Sequence, residues 1–172
     1  VLIILLTITV AGLIAQIIIP YVKQNLTKST ECFSYKDYFQ FEQSLEFNGI
    51  TKMYNCWQPS KNLTGASIKA IAGGNMSENL QGFNITFRNA GSSEIIGISN
   101  GVVAGIPGSV WMHGSAASLQ VPKEGEIITY VYKSTQNTQF DVAEVYPVLK
   151  NGRICPMSDS IKISLCDGAI LQ

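Results

Sequence analysis

Residues 82–88 read GFNITFR, an unbroken alternation of apolar and polar side chains. Successive side chains of a strand point to opposite faces, so Phe83, Ile85 and Phe87 are expected on a core face while Asn84, Thr86 and Arg88 face water. Outward from this stretch the same kind of run recurs. SLEFNGITKMYNCW (44–57), GASIKAIA (65–72), EIIGIS (94–99), EIITYVYK (126–133), FDVAEVYPVLK (140–150) and SIKISLC (160–166) are β-branched or aromatic, and Gly, Asn, Ser and Pro clusters separate them. Short strands at close spacing, without long segments of 3.6 period, predict an antiparallel Ig-like β-sandwich. In the last run Ile161, Ile163 and Leu165 are expected to share one face, opposite Lys162 and Ser164.

Two flanking segments are less regular. TECFSYKDYFQFEQ (30–43) is rich in aromatics, and Phe33, Tyr35, Tyr38, Phe39 and Phe41, either the last turns of a helix or the first edge of the sheet, are expected to be packing residues that dock a preceding helix to the sandwich. GISNGVVAGIPGSVWMHGSAAS (97–118) places Gly101 and Gly105 four apart, but Pro107 breaks its apolar run, so turns and bulges between strands are expected there.

The chain opens differently, on VLIILLTITVAGLIAQIIIPYVK (1–23), with no charge before Lys23. A helix of 22 residues extends about 33 Å, which matches a hydrocarbon layer of about 30 Å. No basic region or small-residue cleavage site precedes or ends it, so Val1 is expected to be a processed end that keeps the segment. A helix apolar all round is buried all round, in lipid or among like helices. Gly12 with Ala11 and Ala15 would allow close helix approach, Gln16 could bond a neighbouring helix, and Pro20 would kink the rod. The expected fold class is therefore α+β: a long N-terminal apolar α-helix over 1–31, a membrane anchor before assembly and a filament core after it, followed by an extracellular head domain over 32–172.

Cys32, Cys56, Cys155 and Cys166 are even in number and form no CxxC pair, and His113 is their one possible companion ligand, which argues against zinc. Outside the cytoplasm two disulfides are expected, and three pairings are open. Closing the short loops, Cys32 with Cys56 and Cys155 with Cys166, is the favoured one, each bond contributing about 3 kcal/mol in the chain-entropy model. The rival pairs Cys32 with Cys166. N-x-[ST] sequons stand at Asn25, Asn62, Asn75 and Asn84, and N-linked glycans there would coat the surface.

Lys plus Arg and Asp plus Glu number twelve each, so no global field draws nucleic acid. Phosphate-loop, dinucleotide, zinc-protease and nucleophile-elbow motifs are missing, and there is a single histidine. Trp111 and His113 share one side of a strand, a packing arrangement, and Asp141, Glu144, Glu124 and Glu126 scatter as on solvated strands. A non-enzyme without cofactor or metal is expected.

A charge-free apolar start followed by a β-rich, sequon-bearing domain resembles an archaeal type IV pilin. Where bacterial relatives carry a glutamate, Leu5 stands here, which favours the archaeal branch. The resemblance implies a leader cut by a prepilin peptidase, a membrane-inserted precursor, and pilus assembly machinery that draws the subunit into a homo-oligomeric helical filament. Val1, Leu2, Leu5, Ile8, Gly12, Gln16 and Pro20 would lie in the filament core. Such a filament implies an extracellular, cell-surface location and a role in adhesion, and possible uses extend to twitching or aggregation. The alternatives are an archaellin-type swimming filament subunit and a single-span membrane protein presenting an extracellular binding domain.

Overall fold

Runs of β-branched and aromatic residues, punctuated by Gly, Asn and Ser, favour strand and turn over helix. The computed structural model describes residues 16, 31–47, 50–71, 78–104, 110–115, 118–134 and 139–171. Among them the strands in chain order are β1 Phe39–Phe41, β2 Leu45–Phe47, β3 Ile50–Lys52, β4 Cys56–Gln58, β5 Leu63–Ala70, β6 Leu80–Arg88 and β7 Ser93–Ser99. They continue with β8 Val102–Ala104, β9 Val110–Met112, β10 Ile127–Lys133, β11 Val142–Leu149, β12 Asp159–Lys162 and β13 Ser164–Leu165. One sheet has six strands, in the order β13-β4-β5-β10-β9 with β1 also on β5, and a second has five, in the order β12-β11-β6-β7-β8. Strands β2 and β3 pair only with each other. Pairing is antiparallel throughout except for β13 on β4.

The expectation of an α+β chain led by a long helix is corrected by this architecture. The described residues are sheet and turn, and helix is confined to Gln16, to 31–33 and to a short 3₁₀ turn at 78–79. No helix among the described residues is long and apolar enough to cross a membrane, so the transmembrane-helix reading is not supported either. Val1, Leu2, Leu5, Ile8, Gly12 and Pro20 lie outside the described residues, and Gln16 is helical and exposed. The physical reason is that beyond residue 34 the apolar positions recur with period two, which gives a face to a strand and none to a helix. The chain divides into two compact units, Val1–Ser34 and Tyr35–Gln172. In the first, Glu31–Phe33 is helical and Phe33 is exposed.

The second unit holds both sheets, and aromatic rings join them. Phe83 of β6 lies 4.6 Å from Phe39 of β1 and 5.5 Å from Tyr130 of β10, measured between ring centroids. Phe87 stacks on Tyr132 at 5.5 Å and meets Phe140 at the same distance. Each such pair contributes about 1 kcal/mol beyond the apolar area it buries. Phe83, Ile85 and Phe87 are all buried, as their alternation requires. Tyr35, Tyr38, Phe39 and Phe41 are buried too, so the aromatic segment belongs to the core. At the margin of the interlayer space, Glu94 of β7 accepts hydrogen bonds from the Tyr132 hydroxyl and, at 3.0 Å, from Ser134 Oγ.

Strand β5 shares one edge between two partners. Leu63 and Thr64 pair with Gln58 and Trp57 of β4, while Ile68 to Ala70 pair with Phe41 to Phe39 of β1, and β10 runs along the whole opposite edge. A Cβ at Gly65 would lie 2.2 Å from the Tyr54 carbonyl oxygen, so glycine is what lets that backbone approach. The outer edge of β1 is closed by side chains of the facing sheet rather than by another strand. The Phe39 N–H donates to Ser158 Oγ at 3.0 Å, and the Phe41 N–H donates to Asp159 Oδ2 at 2.8 Å. An edge occupied in this way offers no template to another chain.

Tyr130 supplies a pH test of this packing. Its hydroxyl donates to the Gln120 carbonyl, and burial, reinforced by the charge of Glu126, pushes its pKa well above the ordinary tyrosine value. In the unfolded chain the phenol ionises near pH 10, whereas the folded chain holds its proton. Stability is therefore intact below about pH 10 and falls above it, by about 1.4 kcal/mol per pH unit for this one group. Tyr130→Phe is expected to flatten that slope by the same amount in urea unfolding between pH 9 and 11. An unchanged slope would mean that Tyr130 ionises freely in the folded chain.

Candidate functional site

The outer face of the five-stranded sheet follows from its register. Arg88, Thr86, Asn84 and Gly82 of β6 stand opposite Val142, Glu144, Tyr146 and Val148 of β11, and opposite Ser93, Ile95, Gly97 and Ser99 of β7. The rows extend to β12, where Lys162 meets Val142 and Ser160 meets Glu144. Ala143 and Val145, which alternate with this face, are fully buried between the sheets.

Glu144 anchors the face. It is only 5 % exposed although it points outward, because its neighbours fold over it. The Arg88 guanidinium donates to Glu144 Oε1, and the Tyr146 hydroxyl donates to Oε2 at 2.7 Å. Burial, then the hydrogen bond to Glu144 and its charge, raise the Tyr146 pKa, and Arg88 opposes them. A neutral phenol and a guanidinium thus each engage one carboxylate oxygen, so the group is a clamp between β6 and β11. The expectation that Glu144 is a solvated acid is corrected, whereas Asp141, Glu124 and Glu126 are exposed. Thr86, also expected in water, is buried beside Glu144, with Ile95 exposed on its other flank.

Gly82 marks an irregularity in this sheet. The register between β6 and β11 shifts by one residue at Val148/Leu149, leaving Gln81 as the extra residue of a bulge. A Cβ at Gly82 would fall 1.9 Å from the Ile98 carbonyl oxygen, so only glycine fits.

The cysteines form a second constellation. Cys56 is bonded to Cys166, which overturns both the pairing of near neighbours and the rival of Cys32 with Cys166. Cys32 and Cys155 are disulfide-bonded as well, and no cysteine is free. Local spacing favoured short loops, but the parallel pairing of Ser164 with Cys56 carries the distant Cys166 to β4. Cys56 is fully buried among Leu63, Val131, Ala169 and Leu171.

A surface groove of about 620 Å³ lies between Pro59, Lys61, Asn62, Trp111 and Lys133. Asn62 adopts φ +55° there, and its Nδ2 donates to the Ser134 carbonyl at 3.2 Å. Trp111 is half-buried at the rim, and the His113 ring sits 4.9 Å from that of Tyr54. Of the sequon asparagines, Asn62 lies in the turn before β5 and Asn84 on β6, and Asn25 and Asn75 lie outside the described residues. Among the described residues no three His, Cys, Asp or Glu side chains gather as a metal site.

No protein-family model matches the chain, and no curated protein does. Among solved structures it is similar to the archaellum periplasmic stator protein complex FlaF and FlaG from Sulfolobus acidocaldarius, at 14 % identity over 73 % of this chain and 88 % of that one, with a TM-score of 0.34. A similarity of that degree decides nothing about function, and the pilin identification finds no support in these comparisons.

Proposed function

We propose that this chain is a non-catalytic, structural component of a cell-surface filament system of the archaeal type, exported from the cytoplasm and working through contacts with other protein subunits. The observation that carries the reading is the buried Cys56–Cys166 bond together with the absence of any free cysteine. Disulfides of this kind persist in oxidising compartments. The buried carboxylate of the second unit, Glu144, and the half-buried Glu94 are taken up by structural hydrogen bonds. What remains for function is surface. The uncharged apolar residues before Lys23 give a reason for assembly, since an exposed stretch of that size associates with whatever covers it.

The test is immunogold labelling of surface material sheared from cells that make the protein. Gold is expected along filaments. Label confined to the cell envelope, with bare filaments beside it, would overturn the filament role and leave a surface-anchored binding domain.

A further inference from the structure

The fold treats the asparagines of its two described sequons in opposite ways. Asn62 spends its Nδ2 on the Ser134 carbonyl, its Oδ1 is enclosed, and the Thr64 hydroxyl of its sequon is buried. Asn84 stands half-buried in the middle of the outer face of the five-stranded sheet, and its side chain makes no hydrogen bond among the described residues. Tyr146 is directly opposite it on β11, and Gly97 directly opposite on β7. Gly82 precedes it by two residues on the same face. With no side chain at 82 or 97, backbone floors the surface next to Asn84. The result is a hollow of about 70 Å³, walled by Val148 and Ser99.

A central strand of a monomeric sheet normally covers its outer face with side chains of neighbouring rows, as Arg88 and Tyr146 cover Glu144 two residues away. At Asn84 that cover is missing. An unengaged amide beside bare backbone is a place prepared for something attached to the amide itself.

We propose that Asn84 carries an N-linked saccharide whose first sugar lies over Gly82 and Gly97, between Val148 and Ser99. A sugar ring has apolar C–H faces suited to the Val148 side chain and hydroxyls suited to the polar rim, here Ser99. In the transfer, Nδ2 bonds to the anomeric carbon of a phosphate-activated, lipid-linked saccharide. The amide loses one proton and the lipid phosphate departs as leaving group. Because β6 is locked between β11 and β7 and Thr86 is enclosed, the transfer takes place before those strands pair. The attached glycan then covers the exposed Ile95 side of the sheet and turns this face away from subunit contacts.

The assignment rests on the export proposed above, and one experiment separates the two. Protein purified from cells that make it is digested without reduction and its peptides are weighed. Most copies of the peptide containing Asn84 are expected to be heavier by one or more sugar residues. Asn84→Gln and Thr86→Val should abolish the increment and Thr86→Ser should retain it, with thermal melts confirming that all three fold. The linked Cys56–Cys166 peptide pair in the same digest reports export. A bare Asn84 peptide beside an intact cross-link overturns the glycan and leaves export standing. Bare Asn84 with free thiols overturns both, and an increment that survives Thr86→Val places the modification elsewhere and overturns the assignment.

Discussion

Replacing Cys56 and Cys166 together by alanine is expected to lower stability by about 4 kcal/mol, because a cross-link closing a loop of roughly a hundred residues removes about that much denatured-state entropy. The two cysteines are 110 residues apart in sequence, so most of the chain lies inside the loop they close. Strand β13 pairs with β4 through only Ser164 and Leu165, and a pairing of two residues does not hold a terminus unaided. The segment that follows is fastened by the Cys166 N–H to the Trp57 carbonyl at 3.0 Å and by the Leu171 N–H to Gln58 Oε1 at 3.0 Å. Leu171 is fully buried against Cys56 and Leu63. Loss of the bond is therefore expected to free the last strand first, and to lower the melting temperature by about 10 to 15 °C for a unit of this size. Alanine at both positions avoids a lone buried thiol. Urea unfolding of the double variant, with the other two cysteines kept oxidised, reads the difference directly. A loss below about 1 kcal/mol would mean that the unfolded chain is no freer without the bond.

The same corner shows what a sequence discloses about such a fold. In residues 82–88 the period of two is visible because one strand stays in one sheet from end to end, and Phe83, Ile85 and Phe87 are buried accordingly. In residues 160–166 the same pattern misleads. Strand β12 ends at Lys162 in the five-stranded sheet, and β13 begins at Ser164 in the six-stranded one. Ile163 sits at the crossing and is buried, while Leu165, expected on its face, is exposed. Alternation records which way side chains point along a strand and is silent about a change of sheet. The cysteine pairing fails for the same reason, since short loops are cheap to close but topology decides which strands meet.

The outer face hid its chemistry differently. Glu144 and Thr86 read as solvated because polar residues at alternating positions usually are, and their burial comes from cross-strand neighbours that only register brings together. Nothing in the sequence marks Gly82 and Gly97 as the floor of the surface around Asn84, since only register sets them beside it. The opening residues 1–30 carried the strongest composition signal in the chain, yet apart from Gln16 they lie outside the described residues, so that signal fixed none of the sheet architecture.

Asn55 had no place in any pattern, and its replacement should be among the most damaging single changes. It is 1 % exposed and stands just before β4, in the gap that β4 and β1 leave along the shared edge of β5. Across that gap the Ser67 N–H has no strand opposite it. Asn55 Oδ1 accepts from this N–H at 2.7 Å, and Asn55 Nδ2 donates to the Glu42 carbonyl at 2.6 Å. One amide thus does for the sheet what a missing ladder residue would have done. On the other side of Ser67, its hydroxyl bonds Thr129 of β10 at 2.7 Å, so the strand is gripped from both edges. Asn55→Ala takes the partner from the buried Ser67 N–H and from the part-buried Glu42 carbonyl, and a buried group left unpaired costs about 1 to 3 kcal/mol. The expected loss is about 3 kcal/mol, a shift of about 10 °C in melting temperature for a unit of this size. Asn55→Asp separates the two bonds. It keeps an acceptor for the Ser67 N–H but turns an oxygen toward the Glu42 carbonyl, so it should be no better than alanine at neutral pH and recover as acid protonates the new carboxyl. Hydrogen exchange at the Ser67 amide gives the local readout, with protection expected to collapse in Asn55→Ala and to persist at the Val131 amide on β10. If Ser67 stays protected in the alanine variant, water or a shift of β1 fills the gap, and the bridging role assigned to Asn55 is wrong.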